Sequence, residues 1–331
     1  MTISPKTVKM LWGRAAGRCS IENCRQPLVL DETPADTEAL IGEMCHVVAE
    51  AKDGPRGHSP LTKEERNQYD NLILLCRNHH GEIDSQPDTW PVDRLKTIKS
   101  NHEKWVREQL PGYDRKRQSD EEIYAEYVEE WAKRCDLDNW TGWGSFVLGS
   151  GQPRITVVME RNIEDLQRWL LNRIWPGRYP SLERAFQNFR LVLQDFHNTF
   201  REYGEKPTAD SEWLLTTKFY HIQEWDEERY EQLGKRYEFH VELVMDLFLE
   251  LTCAANLVCD EVRETILSSF RQAEGRLTAE WGPVMPDAQF IEEVVQYSPG
   301  ERTVNPPYPG LEAFMTVRET RDRHFGKGTA P

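Results

Sequence analysis

The chain lacks any apolar run near the roughly 20 residues that a helix needs to cross a bilayer. Its opening stretch, MTISPKTVKMLWGRAAGRC, has no apolar core before a small-residue cleavage site, so it does not read as a secretory leader. These absences set the expectation of a cytoplasmic protein with no membrane association. No internal repeat is found, which argues against a solenoid. Cysteine is sparse and odd in number, seven in 331 residues, and does not suggest a disulfide framework. Cys19, Cys24, Cys45 and Cys76 fall early, and such clustering in a reducing compartment points to metal. Excess positive charge is also missing, since the formal net charge is −15.

What is present is the composition of a folded, soluble chain long enough for two domains, 38% hydrophobic and 29% charged. The acidity is uneven. Residues 1–119 carry 18 basic and 18 acidic side chains, leaving 23 basic against 38 acidic in the remainder. A phosphate backbone repels that second part, so it is a poor surface for gripping a bare duplex.

From Arg18 to about Leu110 the chain is punctuated by Gly, Pro and short apolar runs, as in a small α+β unit. Strands are expected at Pro27–Leu30 and Met44–Val48, a polar loop over 51–67, and a return of the chain over Tyr69–Leu75. Val92, Leu95, Ile98, His102, Trp105 and Val106 recur at helical spacing, in a helix stopped by Pro111-Gly112. A charged, helix-poor joint over 113–122 divides the chain into domains 1–115 and 120–331. Beyond it, a helix is expected at 121–135, then turns with one strand or hairpin through 138–160. Leu182, Phe186, Phe189, Leu193, Phe196, Phe200 and Tyr203 form a heptad-like stripe. A second long helix spans Phe239 to about Leu277 and a further one lies near 211–233, implying a helical bundle. From Pro283 the chain reads as irregular, with a loose tail.

Four residues lie between Cys19 and Cys24, and two between Cys76 and His79. Two close ligand pairs joined by a longer insert suit a tetrahedral structural Zn2+ site. Cys135, Cys253 and Cys259 lie on or near apolar helix faces and read as buried hydrophobes.

A second set is interleaved with the first: Cys45-His46 closes the strand candidate, Asn71 opens NLILLC, and His80 follows His79. The run GRC…C…GEMCHVVAEAKDGPRG…YDNLILLCRNHHGEID…LKTIKSNHEKW resembles the zinc-stapled branch of the HNH endonucleases, from Gly17 to Trp105. The resemblance implies a ββα-metal fold and metal-dependent phosphodiester hydrolysis. It makes His46 the general base, a role that suits a side chain largely neutral at cytoplasmic pH. Asn71 then braces the loop and keeps the His46 ring oriented, and His80 is a ligand of a catalytic Mg2+ or Mn2+. Many family members have a hard ligand where this chain has Cys45. Glu43 and Glu50, the nearest carboxylates, are the candidates for a second ligand. Arg56 is an even choice between phosphate contact and loop decoration. Lys96 and Lys99, with Lys104, are candidates for the DNA backbone or a solvated helix face.

His58, His102, His197, His221, His240 and His324 are expected to be ordinary core or surface residues. Trp131, Trp140, Trp143, Trp169, Trp175, Trp213, Trp225 and Trp281 are expected to build a core rather than a ligand pocket. The expectation is therefore an α+β nuclease module with structural zinc, followed by an acidic, mainly helical domain with a small β element that controls activity, targeting or oligomerisation. DNA is the expected partner, a homodimer the expected assembly for double-strand cleavage, and an activating ligand or protein the expected trigger. The architecture resembles bacterial anti-phage effectors. A second reading is a non-catalytic or partner-dependent zinc-containing subunit that binds nucleic acid within a larger complex. A third, a homing-type or modification-dependent restriction enzyme, is disfavoured by the acidity of the second domain.

Overall fold

The structure, a computed structural model, describes residues 3–30, 37, 39–109, 115–149, 151–224, 226–284 and 289–331. Pro111, Gly112 and Trp225 lie outside the described residues. The fold is mixed α+β, largely helical with small antiparallel sheets. The chain divides into two compact units, 1–129 and 130–331. No helix among the described residues is long and apolar enough to cross a membrane.

The first unit opens with α1 (Pro5–Arg14), where Ser4 caps the start by accepting from Thr7 N and Pro5 sits at the first helical position. Strands β1 (Val29–Leu30) and β2 (Ala39–Leu40) form a short exposed ribbon. Strand β3 (Gly42–His46) pairs antiparallel with β4 (Leu72–Cys76), setting Cys45 opposite Ile73 and His46 opposite Leu72. Every residue of β4 is buried. Between these strands, the segment expected to be a loop contains α2 (Lys63–Arg66), nucleated by a capping box between Thr62 and Glu65. Helix α3 (Arg77–Ser85) follows β4 without a break, and α4 (Val92–Gln109) packs Leu95, His102 and Val106 inward. His102 behaves as an ordinary core histidine, its Nε2 3.1 Å from the Ala15 carbonyl.

The joint expected to be poor in helix is helical from Arg115: α5 runs Arg115–Arg134 and the unit boundary falls within it. Its i,i+4 pairs, among them Arg117–Glu121 at 2.8 Å, give a charged sequence helical support that its composition alone obscures.

In the second unit, α6 (Trp140–Leu148) replaces the expected turns. Gly144 is a tertiary requirement: a Cβ there would stand 2.4 Å from the Phe248 ring. Strand β5 (Arg154–Thr156) leads into α7 (Val157–Leu171), capped by the Thr156 hydroxyl. Helix α8 (Pro180–Tyr203) buries Leu182, Phe186, Phe189, Leu193, Phe196 and Phe200 as its stripe requires. Replacing one such phenylalanine by alanine costs about 3–5 kcal/mol in a packed core. Strands β6 (Gly204–Glu205) and β7 (Trp213–Thr216) join β5 in the order β5-β7-β6. The helix expected near 211–233 is therefore absent: Trp213–Thr216 pairs with β5 instead, and helix resumes only where Asp226 caps α9 (Glu227–Thr265). That 39-residue helix is buried on all sides through its middle, as in the centre of a bundle. It ends before Ile266 and Phe270, which had been expected on it.

The C-terminal part is more ordered than its prolines suggest. Strands β8 (Thr278–Val284) and β9 (Gln289–Val294) form a hairpin, and short helices α10 (Pro299–Arg302) and α11 (Leu311–Val317) follow. Asn256 of α9 ties this region down, donating to the Leu277 and Val295 carbonyls and accepting from Leu277 N. Asp246 pairs with fully buried Arg318 at 3.2 Å and accepts from the backbone at Phe325 and Gly326. Thus the tail is docked rather than loose.

Glu250 lies beside these groups, accepting from Tyr297 Oη at 2.9 Å and pairing with Arg321 at 3.0 Å. Burial, only partly offset by Arg321 and Tyr297, raises its carboxyl from 4.5 to about 7. The folded state therefore favours the protonated form. Its contribution is fully present below pH 4.5 and is lost as pH rises through 7. The stability of the wild type relative to Glu250→Gln is expected to decline across that window in denaturant titrations. A pH-independent difference contradicts this assignment.

Candidate metal centre and active site

The first unit brings two polar clusters to one short element, α3, through its adjacent histidines His79 and His80. Cys19 and Cys24 lie in a tight turn closed by Arg18, whose guanidinium donates to the Arg25 carbonyl at 2.9 Å. Ser20 N donates to the Leu74 carbonyl, fastening that turn to β4. Cys76 ends β4 and is the residue from which α3 starts, so His79 and His80 fall in the first turns of the helix. The result is a group of Cys19, Cys24, Cys76 and His79 whose ligand atoms all lie within 4.8 Å of one another. His79 Nδ1 is 3.1 Å from Cys76 Sγ and 3.6 Å from Cys19 Sγ.

The donor set fits zinc. Three sulfurs and one imidazole nitrogen are soft-to-borderline ligands, and a tetrahedron with Zn–S bonds of about 2.3 Å has edges of about 3.8 Å. All four cysteines of the first unit are free thiols. Burial pushes the Cys19 thiol up to about 12, so zinc binding must displace its proton. These four residues can hold a metal ion such as zinc.

The second cluster uses the remaining faces of α3 and the end of β3. His80 and Asp84, one helical turn apart, converge with Cys45 to within 4.8 Å. His80 Nε2 stands 3.3 Å from Asp84 Oδ2, and Nδ1 is 2.6 Å from Glu43 Oε2. Asp84, which sequence reasoning missed, thus takes the place considered for Glu50; Glu50 is exposed and outside the group. The i,i+4 spacing of His80 and Asp84 within NHHGEID was the available signal. Cys45 is fully buried, and that burial raises its thiol to about 12.

His46, at the end of β3, is half-buried, and its Nε2 lies 2.8 Å from Asn67 Oδ1. The residue that orients the His46 ring is therefore Asn67, and not Asn71 as expected. Asn71 does brace the loop: its amide donates to the Val48 and Arg66 carbonyls, and its oxygen accepts from Val48 N. Nothing in the sequence distinguished Asn67, which closes the polar loop just after α2. Arg66, also unforeseen, is buried with its guanidinium donating to the carbonyls of Ala49, Gly57, Ser59 and Leu61. It holds the 49–61 loop as a unit.

Two expected surface cations are turned inward. Arg56, at φ 56°, donates to the Val47 and Ile83 carbonyls and pairs with Asp84 at 2.7 Å; its side chain is only 5% exposed. It bridges the end of β3 to α3 and steers Asp84. Lys99 is buried against the Tyr69 ring, donating to the carbonyls of Tyr69 and Leu72, and burial lowers its ammonium from 10.5 to about 8. Neither is free to meet a phosphate. Lys96 and Lys104, by contrast, are both exposed.

No model of a known protein family matches the chain, and no curated protein matches it.

Removing a ligand of the sulfur-rich cluster is expected to remove metal. Cys76→Ser protein should carry about one zinc fewer per chain than wild type by metal analysis, and amides of β4 and α3 should exchange faster. Equal zinc content in the two proteins contradicts the assignment.

Proposed function

We propose that the first unit is a zinc-stapled HNH module of ββα-metal type that hydrolyses DNA phosphodiesters in a metal-dependent reaction. The observation that carries this reading is the convergence of Cys45, His80 and Asp84, with His46 next to Cys45 at the end of β3, beside a Cys3His cluster. A candidate base and a hard-ligand pair are thereby presented from rigid elements, which is what in-line attack on a phosphodiester requires.

His46 is the base in this reading. Asn67 Oδ1 can only accept, so this contact takes an Nε2–H of His46 and leaves Nδ1 as the ring nitrogen available to act as base. Nδ1 takes the proton from a water whose oxygen bonds to phosphorus, while the bond from phosphorus to the leaving sugar oxygen breaks. His80 and Asp84 would hold Mg2+ or Mn2+, with Glu43 as a further carboxylate at His80. When bound, that ion supplies charge stabilisation to the phosphate and the leaving oxygen. Arg56 positions Asp84 through its ion pair and through the two backbone carbonyls that fix it. The second unit, which holds most of the chain's excess acidity, is the part we assign to control of activity or targeting, in the manner of an anti-phage effector.

One observation favours the alternative of a non-catalytic or partner-dependent nucleic-acid-binding subunit. Cys45 is a buried thiol whose burial raises it to about 12, at a position where a hard ligand would serve a magnesium enzyme better.

Cleavage of supercoiled plasmid by the full-length chain with Mg2+, Mn2+ or no divalent ion separates the two. Nicked or linear product is expected only with metal, and His46→Ala should abolish it. Asn67→Ala should slow cleavage roughly 10²-fold through loss of ring orientation while leaving zinc content unchanged. Asn71→Ala should act mainly by destabilising the loop. Absence of cleavage with either metal favours the binding subunit.

A further inference from the structure

The second unit contains a group of potential ligands that the nuclease reading does not use. Glu160 and Glu164 lie one turn apart on α7, and His197 on α8 faces them; one ligand atom from each lies within 4.8 Å of the others. His197 had been expected to be an ordinary core histidine. Its side chain is 9% exposed and that of Glu160 8%.

The polar atoms of this pair are poorly satisfied. Both carboxylate oxygens of Glu160 and Nε2 of His197 are buried without a hydrogen-bond partner. His197 Nε2 and Arg201 Nε stand 3.1 and 3.2 Å from Glu160 Oε1, at ion-pair distance but outside hydrogen-bond geometry. A buried carboxylate that accepts a hydrogen bond on neither oxygen is costly and calls for an explanation. Glu164 adds a second carboxylate at the rim, exposed and without a cation partner among the described residues. Two like charges brought together beside an imidazole form a place that a divalent cation would relieve. Arg201, its side chain 47% exposed, neutralises one of them from the solvent side.

We propose that Glu160, Glu164 and His197 bind one divalent ion of the manganese or zinc class and thereby clamp α7 to α8. Two carboxylate oxygens with one imidazole nitrogen are hard-to-borderline donors, quite unlike the thiolate cluster of the first unit. Three protein ligands leave coordination positions for water. The site is separate from the nuclease cluster in sequence, though it shares that cluster's nitrogen–oxygen donor type.

Full-length His80→Ala protein, which lacks a ligand of the first unit's nitrogen–oxygen cluster, is titrated with Mn2+, and free Mn2+ is read by electron paramagnetic resonance. One bound equivalent is expected. Adding Glu160→Gln should abolish it. Adding Glu164→Ala, a change at an exposed helix position that leaves the fold intact, should weaken it roughly tenfold or more, as loss of a direct ligand does. No bound equivalent in the His80→Ala protein overturns the proposal. So does binding that Glu164→Ala and Glu160→Gln leave unchanged, since Glu160 would then be held only by His197 and Arg201 as a buried ion pair.

Discussion

The first unit depends on the meeting of Cys19, Cys24, Cys76 and His79. These residues come from two segments distant in sequence, and their convergence fixes the N-terminal turn against the start of α3. A unit of this size buries a modest apolar core, and several of the residues that fill it are the cysteines themselves. Metal binding there would join the same turn, strand and helix that the core packs together, so ligand affinity becomes folding stability. Everything offered as catalytic lies within a few residues of that staple: His80 directly follows His79, and His46 is held across from Leu72 by the pairing of β3 with β4.

Around this staple, polar side chains do the work that secondary structure does elsewhere. Arg66 gathers four carbonyls of the 49–61 loop, Asn71 closes the end of the same loop, and Arg56 crosses from β3 to α3. Buried backbone carbonyls need partners, and a long loop without a ladder must find them in side chains. The consequence is that two arginines and an asparagine in a polar loop are structural before they are anything else. The site keeps its geometry because His46 and Asp84 each have one such neighbour: Asn67 for the ring, Arg56 for the carboxylate.

How far this was legible in the sequence follows from the range of each signal. The ligand pairs were legible because cysteine and histidine at short spacing announce local geometry, and the α8 stripe because a helix face repeats every three or four residues. Asn67 was not, since its partner His46 is 21 residues away and neither residue's surroundings distinguish it. Arg56 and Lys99 were misplaced for a related reason: a cation's fate depends on whether carbonyls converge around it, which spacing does not reveal. In the second unit, WTGWGSFVL looked like turns because its glycines are poor helix formers, yet Phe248 requires that close approach. The strand at Trp213–Thr216 was lost because four residues carry too little periodicity to outweigh neighbouring helical patterns.

The central claim, that the first unit is organised by a thiolate-rich metal site, is tested most directly by X-ray absorption at the zinc edge on purified full-length protein. The account predicts one tightly held zinc with about three sulfur neighbours near 2.3 Å and about one nitrogen near 2.0 Å. A shell of oxygen and nitrogen alone, or protein that folds and keeps its α3 amides protected with no metal bound, would contradict it.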